Sequence, residues 1–369
     1  MQSFNVDFNE LKKDVEELET RLTSEVTISD LRHTKFWERI GKCCTVSGFL
    51  LAAFASPWLI PLAALLMVQG MACRAFLAHH TGHSAYDSIP EAKKYHRAVW
   101  GVGWRRFIDC FCLQSIEEDR IRHDKHHQYT NTRKDPNALR TSIKAIGRTS
   151  GKVKREMIFW TSVFIWIWQH YAPSLQNVDT RVRPFAIFNF YIMETLTYWT
   201  HRVFPYVMAH FVLLPLLFAP WGIVCVLQVL VARLLADMLL GLYMFSIGVT
   251  NHVGKDLYEF NTGTDGSKGE WYLQQILSTT SFASPNGFTD YLHCFMNYQI
   301  EHHLMPNLPP SKYKEARHEV RLICLRHNIP YVEDNIFKRF LTPCLVSIFR
   351  EESDSGIKSG QIDYFNYFF

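Results

Sequence analysis

The feature that most constrains this chain is the run from 45 to 78, TVSGFLLAAFASPWLIPLAALLMVQGMACRAFLA, in which Arg74 is the single charge. One membrane crossing takes about 20 apolar residues, so a run this long reads as two. Ser56-Pro57 supplies the turn, because proline is favoured at a helix start and breaks a helix interior. The pattern predicts a hairpin of spans at about 40–56 and 57–77. A second hairpin is predicted at 203–219 and 221–247, turning at Pro220-Trp221-Gly222. Arg233 and Asp237 stand i,i+4 on its last helix, a pair that hydrocarbon tolerates only where it faces the bundle or the interface. The fold class expected is therefore all-α: a polytopic membrane protein with four transmembrane helices in two hairpins.

The polar segments divide the rest. Residues 1–38 form an N-terminal segment in which Leu11, Val15, Leu18 and Leu22 trace one helical stripe, expected as a short surface or interfacial helix. Residues 39–335 form the membrane domain and 336–369 a C-terminal tail. Between 79 and 156 there are 16 Lys+Arg against 9 Asp+Glu, and short basic loops stay cytosolic. Within it, 97–116 is expected as a helix lying on the membrane surface. Residues 157–176 are apolar but give way to a polar stretch, so an in-plane or re-entrant segment is expected there. A helix is expected at about 311–327. The net charge of +4 over 369 residues does not indicate a nucleic-acid binder. The nine cysteines are scattered without a CxxC, as for reduced thiols.

Histidine carries the chemistry. There are 17, and the informative ones are clustered: His79-His80-Thr81-Gly82-His83, His123-Asp124-Lys125-His126-His127, Gln299-Ile300-Glu301-His302-His303, and His252 after the last apolar run. Residues three or four apart share a helix face, so His79 or His80 can join His83, and His123 can join His126 or His127. Adjacent histidines point about 100° apart, which suits two neighbouring metals better than one. A mononuclear zinc site uses three or four ligands; eight imidazoles suit two ions with open positions, and imidazole binds iron, copper and zinc. An HxxxH is weak by itself; the conjunction of clusters, all just outside apolar hairpins, points to a metal site. Asp124, Asp135, Asn251 and Glu301 are candidates to hold an imidazole N–H. Gln299, a neutral amide and a poor iron ligand, is expected to act beside the metal rather than on it. Because all four groups must meet on one side, an even number of crossings must separate His127 from His252.

These residues resemble the integral-membrane fatty acid desaturases. HHTGH is similar to the first histidine box of that family, with His80 where an Asp is usual. HDKHHQYTNTRKDPN is similar to the second, and MNYQIEHHLMPNLPPSKY to the third box of the front-end branch, where Gln replaces the first histidine. WQHYAP at 168–173 and the stretch Ile323–Tyr331 extend the likeness over about 40–335. FWERIGKCC and VEDNIFKRF are similar to the branch called fatty acid desaturase 6. The resemblance implies a non-haem centre of two iron ions held by His79, His83, His123, His126, His127, His252, His302 and His303, and it favours His79 over His80. It also implies O2 as oxidant, a fatty acyl substrate linked to CoA or phospholipid, and an endoplasmic reticulum membrane with the active site facing the cytosol. Many front-end members carry a fused cytochrome b5 domain with an HPGG motif. No HPGG occurs here, so the expectation is a separate cytochrome b5-type donor, with the basic 79–156 surface as one place for it to dock. The same centre can serve a lipid hydroxylase, and a silent metal-binding membrane protein is a further alternative.

Overall fold

A computed structural model describes residues 6–106, 116–137, 139–170, 184–254, 256–260 and 266–349. The chain is mostly helical. Helix α1 (Phe8–Ser24) starts at an Asp7 cap whose carboxylate accepts from the Asn9 and Glu10 N–H groups. Its predicted stripe of Leu11, Val15, Leu18 and Leu22 is fully used: all four are buried. Helix α2 (Ile28–Phe54) starts in a capping box formed by Thr27 and Asp30 and runs unbroken for 27 residues. The expected 40–56 span is thus the distal half of a longer helix, and its proximal half carries Lys35, Glu38 and Arg39.

A single turn at Pro57–Leu59 leads into α3 (Ile60–Gly82), which returns antiparallel to α2. The two helices approach backbone to backbone. A Cβ at Gly70 would lie 2.0 Å from the Thr45 hydroxyl and 2.5 Å from the Gly41 carbonyl. Beyond α3, residues 97–106 form turns and a short 3-10 segment at Gly103–Arg105 rather than the expected surface helix; the 107–115 part of that expectation lies outside the described residues.

Helices α4 (Ile116–Tyr129), α5 (Leu139–Arg148), α6 (Lys152–Phe164) and α7 (Trp166–His170) follow. At about 1.5 Å per residue, α6 and α7 are each too short to cross ~30 Å of hydrocarbon. The next long helix, α8 (Met193–Trp221), starts ten residues before the predicted span. It widens into π turns at Trp199–Val203 and Met208–Leu213, beside Pro205 and Pro215, which have no N–H for the regular ladder. Helix α9 (Ile223–Gly248) completes the bundle against α2 and α3. Among the described residues, three helices are long and apolar enough to cross a membrane: Pro57–Gly82, Met193–Trp221 and Ile223–Gly248.

Arg233 and Asp237 do face the bundle. They lie 3.3 Å apart and buried, and Tyr206 of α8 bonds to both. The Trp168 indole N–H of α7 donates to the second Asp237 oxygen at 2.8 Å. The remaining chain forms a cap: α10 (Lys268–Ser278), α11 (Gly287–Leu292), α12 (Gln299–Leu304), α13 (Tyr313–Arg326) and α14 (Ile336–Cys344). A two-residue parallel pair, β1 (Ser281–Phe282) with β2 (Glu333–Asp334), ties it together. Helix α1 packs its apolar stripe on α10 and α13 and leaves its charged face exposed, a surface helix on the cap. The seven described cysteines are all free; residues 350–369 of the tail lie outside the described residues.

The Gly70 contact generates a stability test. Gly70→Leu should force α2 and α3 apart, an overpacking cost of about 1–3 kcal/mol or more, read as a lower midpoint of thermal aggregation in detergent. Gly103→Ala, at a site with open space around it but a φ of +60°, should cost less.

Candidate metal centre

The eight histidines predicted to converge do so, where the ends of three helices meet the start of the cap. His79 lies in the last turn of α3 and His83 is its C-cap. Helix α4 brings His123, His126 and His127, His252 follows α9, and α12 brings His302 and His303. His126, His252, His302 and His303 are at most 2% exposed.

Two sets form. Ligand atoms of His79, His83, His123 and His302 lie within 4.8 Å of one another, and so do those of His126, His252 and His303. His127 stands between the sets. Its Nε2 is 3.0 Å from His123 Nε2, and its ring stacks on His303 with centroids 4.2 Å apart. The adjacent residues His302 and His303 feed different sets, as the 100° step along a helix requires. His79 Nε2 is 2.9 Å from His302 Nε2, a spacing that one shared proton or one shared cation satisfies. His80, by contrast, is turned away from both sets, fully buried against Trp37 and Tyr313.

The outer nitrogens are held from outside. His126 Nδ1 meets the Asp135 carboxylate at 2.9 Å, His302 Nδ1 meets the Tyr313 hydroxyl at 2.9 Å, and His303 Nδ1 meets Gln275 Oε1 at 2.9 Å. Each contact aims Nε2 inward, the arrangement by which outer partners fix the tautomer of metal-bound imidazole. The inward Nε2 atoms of His83 and His303 are buried with no partner among the described residues. Buried polar atoms are rarely left so, and a cation is the partner that an all-imidazole set accepts. Burial, reinforced by neighbouring imidazoles, holds His123, His127, His302 and His303 well below the usual histidine range, and His252 is lowered to about 3. They are neutral at pH 7, as ligation requires. For Asp135, burial pushes upward, but His126 and the Asn137 and Asn131 N–H groups outweigh it and hold the carboxylate below its ordinary value.

The other expected imidazole partners separate. Asp124 is one step round α4 from the histidine face, and its carboxylate pairs with Arg97 at 2.7 Å, half exposed. Glu301 points away from His302 and His303; it is buried and accepts from Tyr331 at 2.7 Å and Ser281 at 3.1 Å. Burial raises its carboxyl above the ordinary range despite Arg317 and those two hydroxyls. The Asn251 amide reaches the Met296 carbonyl, not a ring. Gln299 does sit at the second set, with Nε2 3.2 Å from His252 Nε2 and its buried Oε1 unpartnered. Spacing gave no signal for Gln275, Tyr313 or Asn131. The last, at φ +53° just past α4, donates to the carbonyls of His252 and Ser278 and so pins His252, which lies beyond the end of α9.

A cavity of about 140 Å³ opens beside the two sets. Ala75, Phe76, Trp166, Met244 and Met296 line its apolar part, and His79, His83, His123, His126 and His252 its polar wall, with Arg120 and Arg122 nearby. Comparison with known proteins now bears on this geometry. The family model for fatty acid desaturase matches residues 56–335, a region that includes all eight histidines. The chain belongs to the fatty acid desaturase family. It is similar to Fatty acid desaturase 3 of Homo sapiens, 26% identical over 319 residues, covering 84% of this chain and 65% of that protein. It is also similar to the Fatty acid desaturase 2-like protein FADS2B of Mus musculus, 22% identical over 301 residues, covering 79% and 56%. A shorter stretch of 97 residues is 33% identical to Delta(6)-fatty-acid desaturase fat-3 of Caenorhabditis elegans, covering 26% of this chain and 21% of that protein. The chain thus spans 56–65% of the length of the first two relatives.

The outer partners make a graded prediction for this desaturase-family site. Asp135→Asn, Tyr313→Phe and Gln275→Leu should each weaken metal retention roughly 10–100-fold, measured by competition with a chelator. Asp124→Ala should leave retention unchanged; an equal loss there would show that the partner assignments are wrong.

Proposed function

We propose that this protein is a membrane fatty acyl desaturase that introduces a double bond with a non-haem centre of two iron ions and O2. The observation that carries this reading is the juxtaposition of two imidazole sets, one half-buried and one buried, with one wall of a largely apolar cavity. His79, His83, His123 and His302 would hold one ion, and His126, His252 and His303 the other, with His127 shared at their boundary. A methylene hydrogen is too weakly acidic for any side-chain base. Bound iron supplies what side chains lack: activation of O2 and removal of hydrogen atoms.

The protein's own residues do the rest. Ala75, Phe76, Met244 and Met296 shape an apolar slot for the acyl chain next to the imidazoles and keep water from it. Arg120 and Arg122 lie on the same cavity as candidates for an anionic acyl carrier. Asp135, Tyr313 and Gln275 hold three rings in one tautomer. Gln299 changes how the second set is completed, because an amide binds iron weakly. In this reading Gln299→His retains the metal but lowers or redirects activity.

The proposed topology has four spans: the distal half of α2, then α3, α8 and α9. Both hairpins then return to the same face, which the basic 79–156 segment makes cytosolic, and the membrane is that of the endoplasmic reticulum. Electrons come from a cytochrome b5-type donor.

Expression in a host of defined fatty-acid content tests the reaction. A new unsaturated acyl chain should appear, and His126→Ala should abolish it while the protein still reaches the membrane. A hydroxylated product, or stoichiometric native zinc with no activity after iron loading, overturns the desaturase reading. In a purified system turnover should need added cytochrome b5 and fall as salt rises through the screening range. Full turnover with a reductase alone would refute the donor.

A further inference from the structure

An aromatic file leads from the imidazole sets to the protein surface, and the acyl pocket does not use it. His80 lies 5.3 Å from His79 and 5.9 Å from His302, centroid to centroid. Trp37 is 6.0 Å from His80, Phe295 is 5.2 Å from Trp37, and Tyr291 is 5.3 Å from Phe295. Tyr291 is half-buried at the edge of the cap, beside the exposed Phe36 ring. Each step is 6.0 Å or less between ring centroids. The file is also held in place at a cost: Cys294 and Phe295 have φ of +50° and +63°, a region that side-chain-bearing residues rarely occupy. Strain of this kind persists where the surroundings impose it, and here it sets the Phe295 ring between Trp37 and Tyr291.

Tryptophan and tyrosine are the side chains that give up one electron most readily, and the two in this file differ in one respect. The Trp37 Nε1–H is buried with no hydrogen-bond partner among the described residues, so no base takes its proton when the ring is oxidised. The Tyr291 hydroxyl is 3.2 Å from His33 Nε2. Asp30 and Asp290 lie near His33, but burial dominates and lowers the imidazole below its usual range, so the ring is neutral and free to accept a proton. An electron vacancy therefore passes through Trp37 and comes to rest at Tyr291.

We propose that Trp37 and Tyr291 form a protective relay that drains an oxidising equivalent from the centre when O2 is activated without an acyl chain in place. The proposal rests on the O2-activating reading above. Trp37 gives one electron to the oxidising site and becomes a radical cation. Tyr291 then gives one electron to Trp37 and its phenolic proton to His33. A soluble thiol reduces the tyrosyl radical to tyrosine by donating a hydrogen atom, the resulting thiyl radicals pairing as a disulfide, and His33 returns its proton to solvent. Without the relay both oxidising equivalents of the activated O2, together with one of its oxygen atoms, pass to a nearby thioether as sulfoxide, that of Met244 or Met296 of the cavity foremost.

The test uses full-length, iron-loaded protein, reduced and mixed with O2 in the absence of acyl substrate and thiol. Iron content and O2 uptake are measured on the same sample, with rapid freezing and electron paramagnetic resonance. Expected is an organic radical whose line shape narrows with ring-deuterated tyrosine, is lost in Tyr291→Phe, and falls several-fold in Trp37→Phe. Tyr291→Phe should keep the wild-type initial rate with substrate, yet accumulate methionine sulfoxide at Met244 or Met296 several-fold faster without it, read by peptide mass spectrometry. O2 uptake with no radical, or a radical that survives Tyr291→Phe and disappears in Tyr313→Phe, overturns the relay alone. Iron-loaded protein that takes up no O2 overturns the relay together with the reading on which it rests.

Discussion

Everything in this structure depends on keeping a group of imidazoles buried, neutral and aimed at one another. Imidazole rings packed in an apolar setting lose hydration, and each carries two polar nitrogens that need partners. The fold meets this by dividing the partners. Outer nitrogens are given to Asp135, Tyr313 and Gln275 on separate segments, and inner nitrogens are left facing a common centre. A centre of this kind cannot be assembled on one helix, because each helix presents at most three of the rings. It needs the ends of α3, α4 and α9 together with α12 of the cap.

Bringing those ends together places demands on the bundle. Helix α3 carries two of the rings at its tip, so its separation from α2 is transmitted to the centre, and the Gly70 contact fixes that separation at backbone distance. Helix α9 is tied to α8 and α7 by a buried polar cluster of Arg233, Asp237, Tyr206 and Trp168. Trp168 sits between Trp166 and His170, both of which face the cavity, so the same cluster fixes one wall of that cavity. Buried ionic groups in a membrane protein are costly, and pairing Arg233 with Asp237 and Tyr206, and Asp237 with Trp168, joins α7, α8 and α9.

The local patterns were legible because they are periodic. The stripe of Leu11, Val15, Leu18 and Leu22, the apolar runs at 57–77 and 221–247, and the i,i+4 spacing of Arg233 and Asp237 all depend on 3.6 residues per turn, and all reappear in the structure. The boundaries were less legible. Helix α2 runs back to Ile28 and α8 to Met193, because a helix does not end where hydrophobicity falls if charged residues can continue it into a polar cap. The turns at 97–106 look amphipathic in sequence, yet Gly101 and Gly103 at positive φ break the helix that hydropathy suggests.

The sequence by itself determined which residue type gathers at the candidate metal centre, since clustered histidines at helical spacing beside apolar runs leave few other uses for so many imidazoles. It also determined that neighbours such as His302 and His303 serve different sets. Only the tertiary structure decided which carboxylates and hydroxyls stand behind the rings. Asp124 and Glu301, adjacent in sequence, turn to Arg97 and to Tyr331 and Ser281, whereas Gln275 and Tyr313 arrive from 28 and 11 residues away. The physical reason is geometric: spacing along a helix sets the direction of a side chain relative to its own axis, but the partner that waits in that direction is set by how the helices pack.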